Sequence, residues 1–186
     1  MTSITHKRVE YTELFYDLVF VYAISKTTAL IHHLDNGMVT FESMLTFLLT
    51  LIILLNNWLI QTGFTNRHGK NSLLNMFVSY LNMVILLFIS NLITQEWELT
   101  FPKFCLALGT LSLTLFVQYL IEYMKKRTSC GSLRTIRGLL WLIGLRAIAV
   151  YTASFLPLKF GVPVFLAGFL STFAMPIFMA IIGEDF

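Results

Sequence analysis

Only one charged side chain, Glu42, interrupts residues 41–64, FESMLTFLLTLIILLNNWLIQTGF. An apolar run of about 20 residues is long enough to cross the hydrocarbon core of a bilayer as a helix. The whole chain of 186 residues shares this character, because 56% of its residues are hydrophobic and 12% are charged. A soluble domain carries about twice that share of charge. The sequence therefore predicts an all-α, polytopic membrane protein that has the lipid bilayer as a partner.

Similar apolar runs flank this one on both sides, and polar or turn-forming residues separate them. We predict a bundle of six transmembrane helices that belong to a single transmembrane domain, residues 1–186. The predicted spans are residues 12–33, 41–64, 72–93, 102–124, 137–157 and 161–183.

The basic residues of the predicted loops lie mostly on one side of the membrane. One side holds those of segments 7–8, 67–70 and 125–137, and the other side holds only Lys103 and Lys159. Cytoplasmic loops carry an excess of lysine and arginine. The pattern therefore predicts a cell (plasma or inner) membrane protein with both its N-terminus and its C-terminus in the cytoplasm. Because topology accounts for the net charge of +3, no nucleic acid partner is expected.

Charged residues inside the first span form the main candidate site. Glu13 and Asp17 share a helical face with Phe20, Ile24 and Thr28, because the spacings are three and four residues. A carboxylate at membrane depth costs several kcal/mol and marks ion pathways in many membrane proteins. We therefore expect Asp17 to face the interior of the bundle. Phe20 and Ile24 would form an apolar constriction further along the same face.

Two basic side chains also lie inside predicted spans. Lys26 is nine residues beyond Asp17, on about the opposite side of the same helix, so these two residues do not pair with each other. Arg146, in the fifth span, lies at a depth similar to that of Asp17 and is its expected partner. Such a pair either locks two helices together or sets the ionisation of the acid, and both interpretations stay open.

Polar residues follow one line along each of the next three spans. Such lines are interhelical hydrogen bonds in one interpretation and the lining of a hydrated path in another. Their presence on several helices, together with the acidic first span, favours a polar cavity. The candidate lining residues are Thr28, Asn57, Gln61, Asn75, Asn82 and Gln118, and Glu122 is a further candidate buried charge.

Small residues in the last span, among them Gly168 and Thr172, predict close helix packing within the subunit or between subunits. A homo-oligomer, a dimer or a higher assembly, is therefore expected. His32 and His33 match no metal-ligand spacing, and the chain carries no catalytic, phosphate-binding or haem motif. The sequence accordingly predicts no cofactor, no metal site and no enzymatic activity.

Residues 10–26, EYTELFYDLVFVYAISK, resemble the first helix of the bacterial low temperature requirement A family, and the likeness is strongest over this helix. The resemblance implies a multi-pass protein of the bacterial inner membrane, linked by the family's name to growth in the cold. Family members are often longer. The resemblance therefore implies that this chain, which ends at Glu184-Asp185-Phe186, is a half-length member or a fragment.

Three functions follow from these patterns as alternatives. The first is a channel or transporter for a monovalent cation or a proton, in which Glu13 and Asp17 attract the ion from the cytoplasmic side. The second is a non-transporting component of membrane assembly or envelope adaptation, with a structural buried ion pair. The third is a membrane enzyme that acts on a lipid or quinone, which no catalytic motif supports.

Overall fold

The computed structural model describes residues 11–31, 34–35, 38–68, 73–94, 97–126 and 133–173. These residues form six α-helices and one antiparallel ladder of two-residue strands, in which Leu34 pairs with Val39. The helices are α1 (Tyr11–Thr27), α2 (Phe41–His68), α3 (Leu73–Leu92), α4 (Trp97–Lys126), α5 (Leu133–Phe155) and α6 (Leu158–Leu170). Short 3₁₀ turns, Thr28–Ile31 and Ser171–Phe173, follow α1 and α6. The predicted helical architecture is confirmed.

Five helical segments are long and apolar enough to cross a membrane, and they match the first five predicted spans to within a few residues. They are Tyr11–Ile31, Phe41–Asn66, Leu73–Leu92, Leu99–Lys125 and Ile136–Phe155. The sixth helix has 13 residues, or about 20 Å of length, which is shorter than a hydrocarbon core of about 30 Å. The predicted sixth span, 161–183, runs beyond the described residues. A complete sixth span and cytoplasmic termini stay predictions.

The helices pack in a chain of neighbours, α1 on α3, α3 on α4, α4 on α5 and α5 on α6, while α2 lies against α1, its 3₁₀ turn and α4. Among these five spans, α4 is the most enclosed. In its most apolar stretch of 18 residues 56% of the residues are buried, against 28–33% in the other four. Large apolar side chains such as Leu18, Phe77, Val84 and Ile148 point outward. An apolar exterior of this kind fits contact with lipid.

Helices α5 and α6 are joined by a tight turn at Pro157. Proline disfavours helical backbone in the preceding residue, so α5 ends at Phe155, and the Pro157 carbonyl then accepts hydrogen bonds from Phe160 and Gly161. Further along, a Cβ atom on Gly168 would lie 2.3 Å from the Cβ atom of Ala149. The small residues of the last span therefore allow close helix packing within the subunit, as one of the two predicted alternatives. The homo-oligomer stays a prediction.

Candidate functional site

A polar groove of about 220 Å³ opens between α1, α2 and α3. It lies near the first turns of α1 and α3 and the end of α2, where helical spacing places polar residues of each helix on one face. We call it the acidic groove, because it contains Glu13 and Asp17. Its lining residues are Thr12, Glu13, Tyr16, Asp17, Gln61, Thr62, Thr65, Asn66 and Ser79.

Asp17 lies at the rim of this groove. Its Oδ1 atom accepts a hydrogen bond of 2.8 Å from Nε1 of Trp58. The Trp58 ring stacks on Phe20, with 5.8 Å between the ring centroids and an interplanar angle of 22°. Asp17 is exposed, whereas the neighbouring Tyr16 side chain is only 6% exposed. Trp58 therefore fixes the position of the carboxylate from α2.

The expectation that Asp17 faces the bundle interior is wrong. The buried line of α1 consists of Tyr16, Phe20, Ala23 and Thr27, which is rotated from the predicted face and shares only Phe20 with it. Burial of two aromatic side chains sets this rotation, because removing their apolar surface from water is favourable, whereas burying a carboxylate is costly. Asp17 consequently stays in the open groove.

Phe20 and Ile24, the predicted constriction, both pack in the main apolar cluster of the protein. Their role in gating an ion stays a prediction. Lys26 is exposed, and its Nζ atom lies 5.5 Å from the centroid of the Tyr22 ring. Thr28 donates a hydrogen bond of 2.7 Å to the Ser25 carbonyl within its own turn. The structure does not bring these residues into the acidic groove.

Arg146 is the largest fully buried side chain among the described residues, with 1% exposure. Its Nη1 atom donates a hydrogen bond of 3.0 Å to Oδ1 of Asn56, and its Nη2 atom donates to Oδ1 of Asn57. The guanidinium carbon lies 5.1 Å from the centroid of the Phe169 ring, which adds a cation–π contact. Thr172 also lies within hydrogen-bond distance of Oδ1 of Asn56, at 3.1 Å. We call these five residues the arginine cluster.

The expected ion pair between Asp17 and Arg146 is not formed. Within the described residues Arg146 binds amide oxygens, and Asp17 binds the indole of Trp58. The two charged residues contact α2 at neighbouring positions, because Asp17 binds Trp58 and Arg146 binds the two preceding residues, Asn56 and Asn57. Successive residues of a helix point in different directions, so α2 holds the two charges apart. Nε of Arg146 is buried and has no hydrogen-bond partner in the described part of the chain.

A second buried cluster joins three helices. Nδ2 of Asn82 on α3 donates to Oε1 of Gln61 on α2 at 3.3 Å, and Oγ1 of Thr114 on α4 donates to Oδ1 of Asn82 at 2.6 Å. Asn82 is fully buried, and Gln61 is 4% exposed. Because Gln61 also lines the acidic groove, this amide cluster connects the groove with the bundle interior. Asn57 lies one helical turn from Gln61, so α2 carries both clusters.

The remaining candidates lie along α4 and α3. Gln118 and Glu122 are buried at one and two turns from Thr114. Oε1 of Gln118 has no hydrogen-bond partner among the residues that the structure describes. Asn75 on α3 is half-buried. His32, His33 and the Asp35 side chain lie outside the described residues, and in the described part no three His, Cys, Asp or Glu residues lie close enough to hold a metal ion.

Three residues of these sites were not predicted from the sequence: Asn56, Trp58 and Phe169. Asn56 and Trp58 could have been predicted as site residues, because they stand beside Asn57 in an otherwise apolar run. Phe169 could not have been predicted, because nothing in the sequence distinguishes it from the other phenylalanines among the 17 in the chain.

Comparison with known families extends the likeness of the first helix to most of the chain. A family described as bacterial low temperature requirement A protein (LtrA) matches residues 8–181. The chain belongs to the low temperature requirement A family. No curated protein and no solved structure gives a match. Membership of this bacterial family, together with five apolar helices of spanning length, makes the LtrA chain a multi-pass membrane protein.

Proposed function

We propose that this LtrA protein transports a monovalent cation or a proton, and that the acidic groove is its loading site. The observation that carries the proposal is the position of Gln61, which lines the groove with Glu13 and Asp17 and also hydrogen-bonds Asn82 inside the bundle. Two carboxylates at the mouth raise the local concentration of cations. We propose no enzymatic activity.

The path inward runs through side chains that replace water as hydrogen-bond partners. From Gln61 it continues to Asn82 and Thr114, and then along α4 toward Gln118, whose Oε1 atom has no partner within the described residues. Amide and hydroxyl oxygens coordinate a desolvated cation or relay a proton at membrane depth. The proposed direction is from the cytoplasmic side, in the orientation that the basic loops predict.

We propose Arg146 as the barrier of this pathway, because its partner Asn57 lies one helical turn from Gln61 on α2. A monovalent cation about 4 Å from a guanidinium meets a repulsion of about 4 kcal/mol at an effective dielectric constant of 20. In the structure the arginine is held by Asn56 and Asn57 on α2. This arrangement favours a transporter, in which helix movement shifts the arginine, over a channel that conducts continuously.

The test is ion flux in proteoliposomes that contain the full chain, with a pH indicator inside and an imposed proton, Na⁺ or K⁺ gradient. We expect Asp17→Asn to reduce flux by at least about tenfold, which corresponds to the loss of about 1.4 kcal/mol of interaction with the ion. Glu42→Gln is the matched control, because Glu42 is exposed at the start of α2, outside the groove. Equal flux through wild type and Asp17→Asn would contradict the proposal.

A second function is supported by the hydrogen bonds themselves. The arginine cluster joins α2 to α5 and the amide cluster joins α2, α3 and α4, which is also what a non-transporting assembly component needs. In that case no variant and no gradient gives flux above that of empty vesicles, and the clusters serve stability alone.

A further inference from the structure

A second groove, of about 360 Å³, lies on the outer face of the bundle between α4 and α5. Its apolar walls include Phe116 and Leu120 on α4 and Leu140 and Ile148 on α5. Gly144 keeps the groove deep, because a Cβ atom there would already lie 3.2 Å from the Phe116 ring. We call it the α4–α5 groove.

A basic residue lines one end of the otherwise apolar α4–α5 groove. Tyr123 and Arg137 line it at the end near the connection between the two helices, and Arg137 is exposed. The sequence of that connection adds further lysine and arginine residues, and no acidic residue occurs between Glu122 and Glu184. Residues 122–137 contain five lysine and arginine residues and one acidic residue, Glu122, so the sequence at this end carries net positive charge, which attracts an anionic group.

The dimensions of the groove match one half of a bilayer. Arg137 and Ile148 are eleven residues apart on α5, or roughly 16 Å along the helix axis. A hydrocarbon core of about 30 Å gives about 15 Å for each leaflet. A chain that starts at Arg137 and follows the groove to Ile148 therefore ends near the middle of the membrane.

We propose that the α4–α5 groove binds an anionic phospholipid. One acyl chain follows Phe116, Leu120 and Gly144, and the headgroup phosphate lies against Arg137 and Tyr123. A zwitterionic lipid fills the apolar part equally well, but its headgroup is neutral overall. The basic end therefore gives the preference for a lipid with net negative charge.

Trp141 provides a local probe, since it lines the groove one turn from Arg137 and is 74% exposed. Bromine atoms on acyl chains quench indole fluorescence on contact. The full chain is reconstituted in phosphatidylcholine vesicles that contain increasing fractions of either brominated phosphatidylglycerol or brominated phosphatidylcholine. The signal of Trp141 is the difference between wild type and Trp141→Phe in the same vesicles.

We expect brominated phosphatidylglycerol to quench Trp141 at a mole fraction about fivefold lower than brominated phosphatidylcholine does, the size of preference that one basic side chain near a membrane surface supplies. Arg137→Gln should remove the difference between the two lipids. Lys159→Gln, an exposed basic residue on α6 that does not line the groove, should leave it unchanged.

Gly144→Leu gives a second test, because its side chain would fill the groove and reduce quenching by both lipids. Equal quenching by the two lipids in wild type, or a preference that survives Arg137→Gln, would overturn the proposal. Protection of Trp141 from both lipids together with a dimeric mass would also overturn it, by showing that a second copy of the chain covers the groove.

Discussion

Arg146 on α5 donates a hydrogen bond to the side-chain oxygen of Asn57 on α2, so an amide holds the buried positive charge in place of a carboxylate. An amide oxygen offers a partial negative charge only, and desolvating a guanidinium costs several kcal/mol. Each contact in the arginine cluster therefore matters for keeping the charge inside the bundle. The contact also joins two helices that are far apart in the sequence.

Removal of the Asn57 side-chain oxygen should destabilise the protein strongly. We expect Asn57→Leu to lower the free energy of unfolding by about 3 kcal/mol, because it leaves a buried charged donor without its acceptor. Unfolding in detergent micelles, followed by circular dichroism, gives the value. Asn91→Leu on α3 is the control, since Asn91 is exposed and donates a hydrogen bond to the Leu87 carbonyl of its own helix.

The double variant Asn57→Leu with Arg146→Met separates this contact from general damage. If Arg146 and Asn57 interact as described, the double variant loses less stability than the sum of the two single variants, by about 1–3 kcal/mol. Additive losses would show that the hydrogen bond does not hold the two helices together.

Trp58 should control transport through the position of Asp17. Trp58→Phe keeps an aromatic ring against Phe20 but removes the N–H donor that binds the carboxylate. A hydrogen bond to a charged group contributes about 1.5 kcal/mol, so we expect flux in proteoliposomes to fall by about tenfold. Trp141→Phe, which changes an indole outside the acidic groove, should transport normally. Full flux through Trp58→Phe would show that Trp58 has no role in loading the ion.

Helical periodicity predicted the interior of α1 only in part. Both the predicted face and the buried line contain Phe20, but the structure buries Tyr16 and leaves Asp17 in the groove. Spacing defines which residues share a face, whereas the rotation of the helix depends on what its neighbours cover. That information belongs to the packing of α1 on α3 and α2 and is not local to the sequence.

The sequence likewise predicts the depth of a residue in the membrane but not its lateral position in the bundle. Residue numbers along two spans placed Asp17 and Arg146 at a similar depth, but they say nothing about which helices are neighbours. The polar lines along α2, α3 and α4 had two interpretations, interhelical hydrogen bonds or a hydrated path, and favoured a polar cavity. The structure joins Gln61, Asn82 and Thr114 by interhelical hydrogen bonds. Each of these three residues lies in a long apolar helix, so the sequence could predict that they are buried but not which residues they contact.

The hydroxyl of Thr114 should matter more than its burial suggests. Thr114→Val keeps the shape of the side chain but removes the donor to Oδ1 of Asn82. We expect a loss of about 1–2 kcal/mol in unfolding free energy, because Asn82 is fully buried. If the amide cluster carries the ion, flux falls as well. Ser112→Ala is the control, since Ser112 is fully buried on α4 but donates to the Leu108 carbonyl in its own helix.

The contact between Gly168 on α6 and Ala149 on α5 gives the sharpest test of the packing around Arg146. A Cβ atom on Gly168 would lie 2.3 Å from the Cβ atom of Ala149 and 3.7 Å from the Arg146 carbonyl oxygen. Gly168→Ala must therefore push the two helices apart, and we expect it to lower the free energy of unfolding by about 2 kcal/mol. Ala149→Gly in the same chain removes the clashing atom and should recover most of this loss. Unfolding of both variants in micelles measures the recovery, and a double variant no more stable than Gly168→Ala would show that the two helices do not meet at these residues.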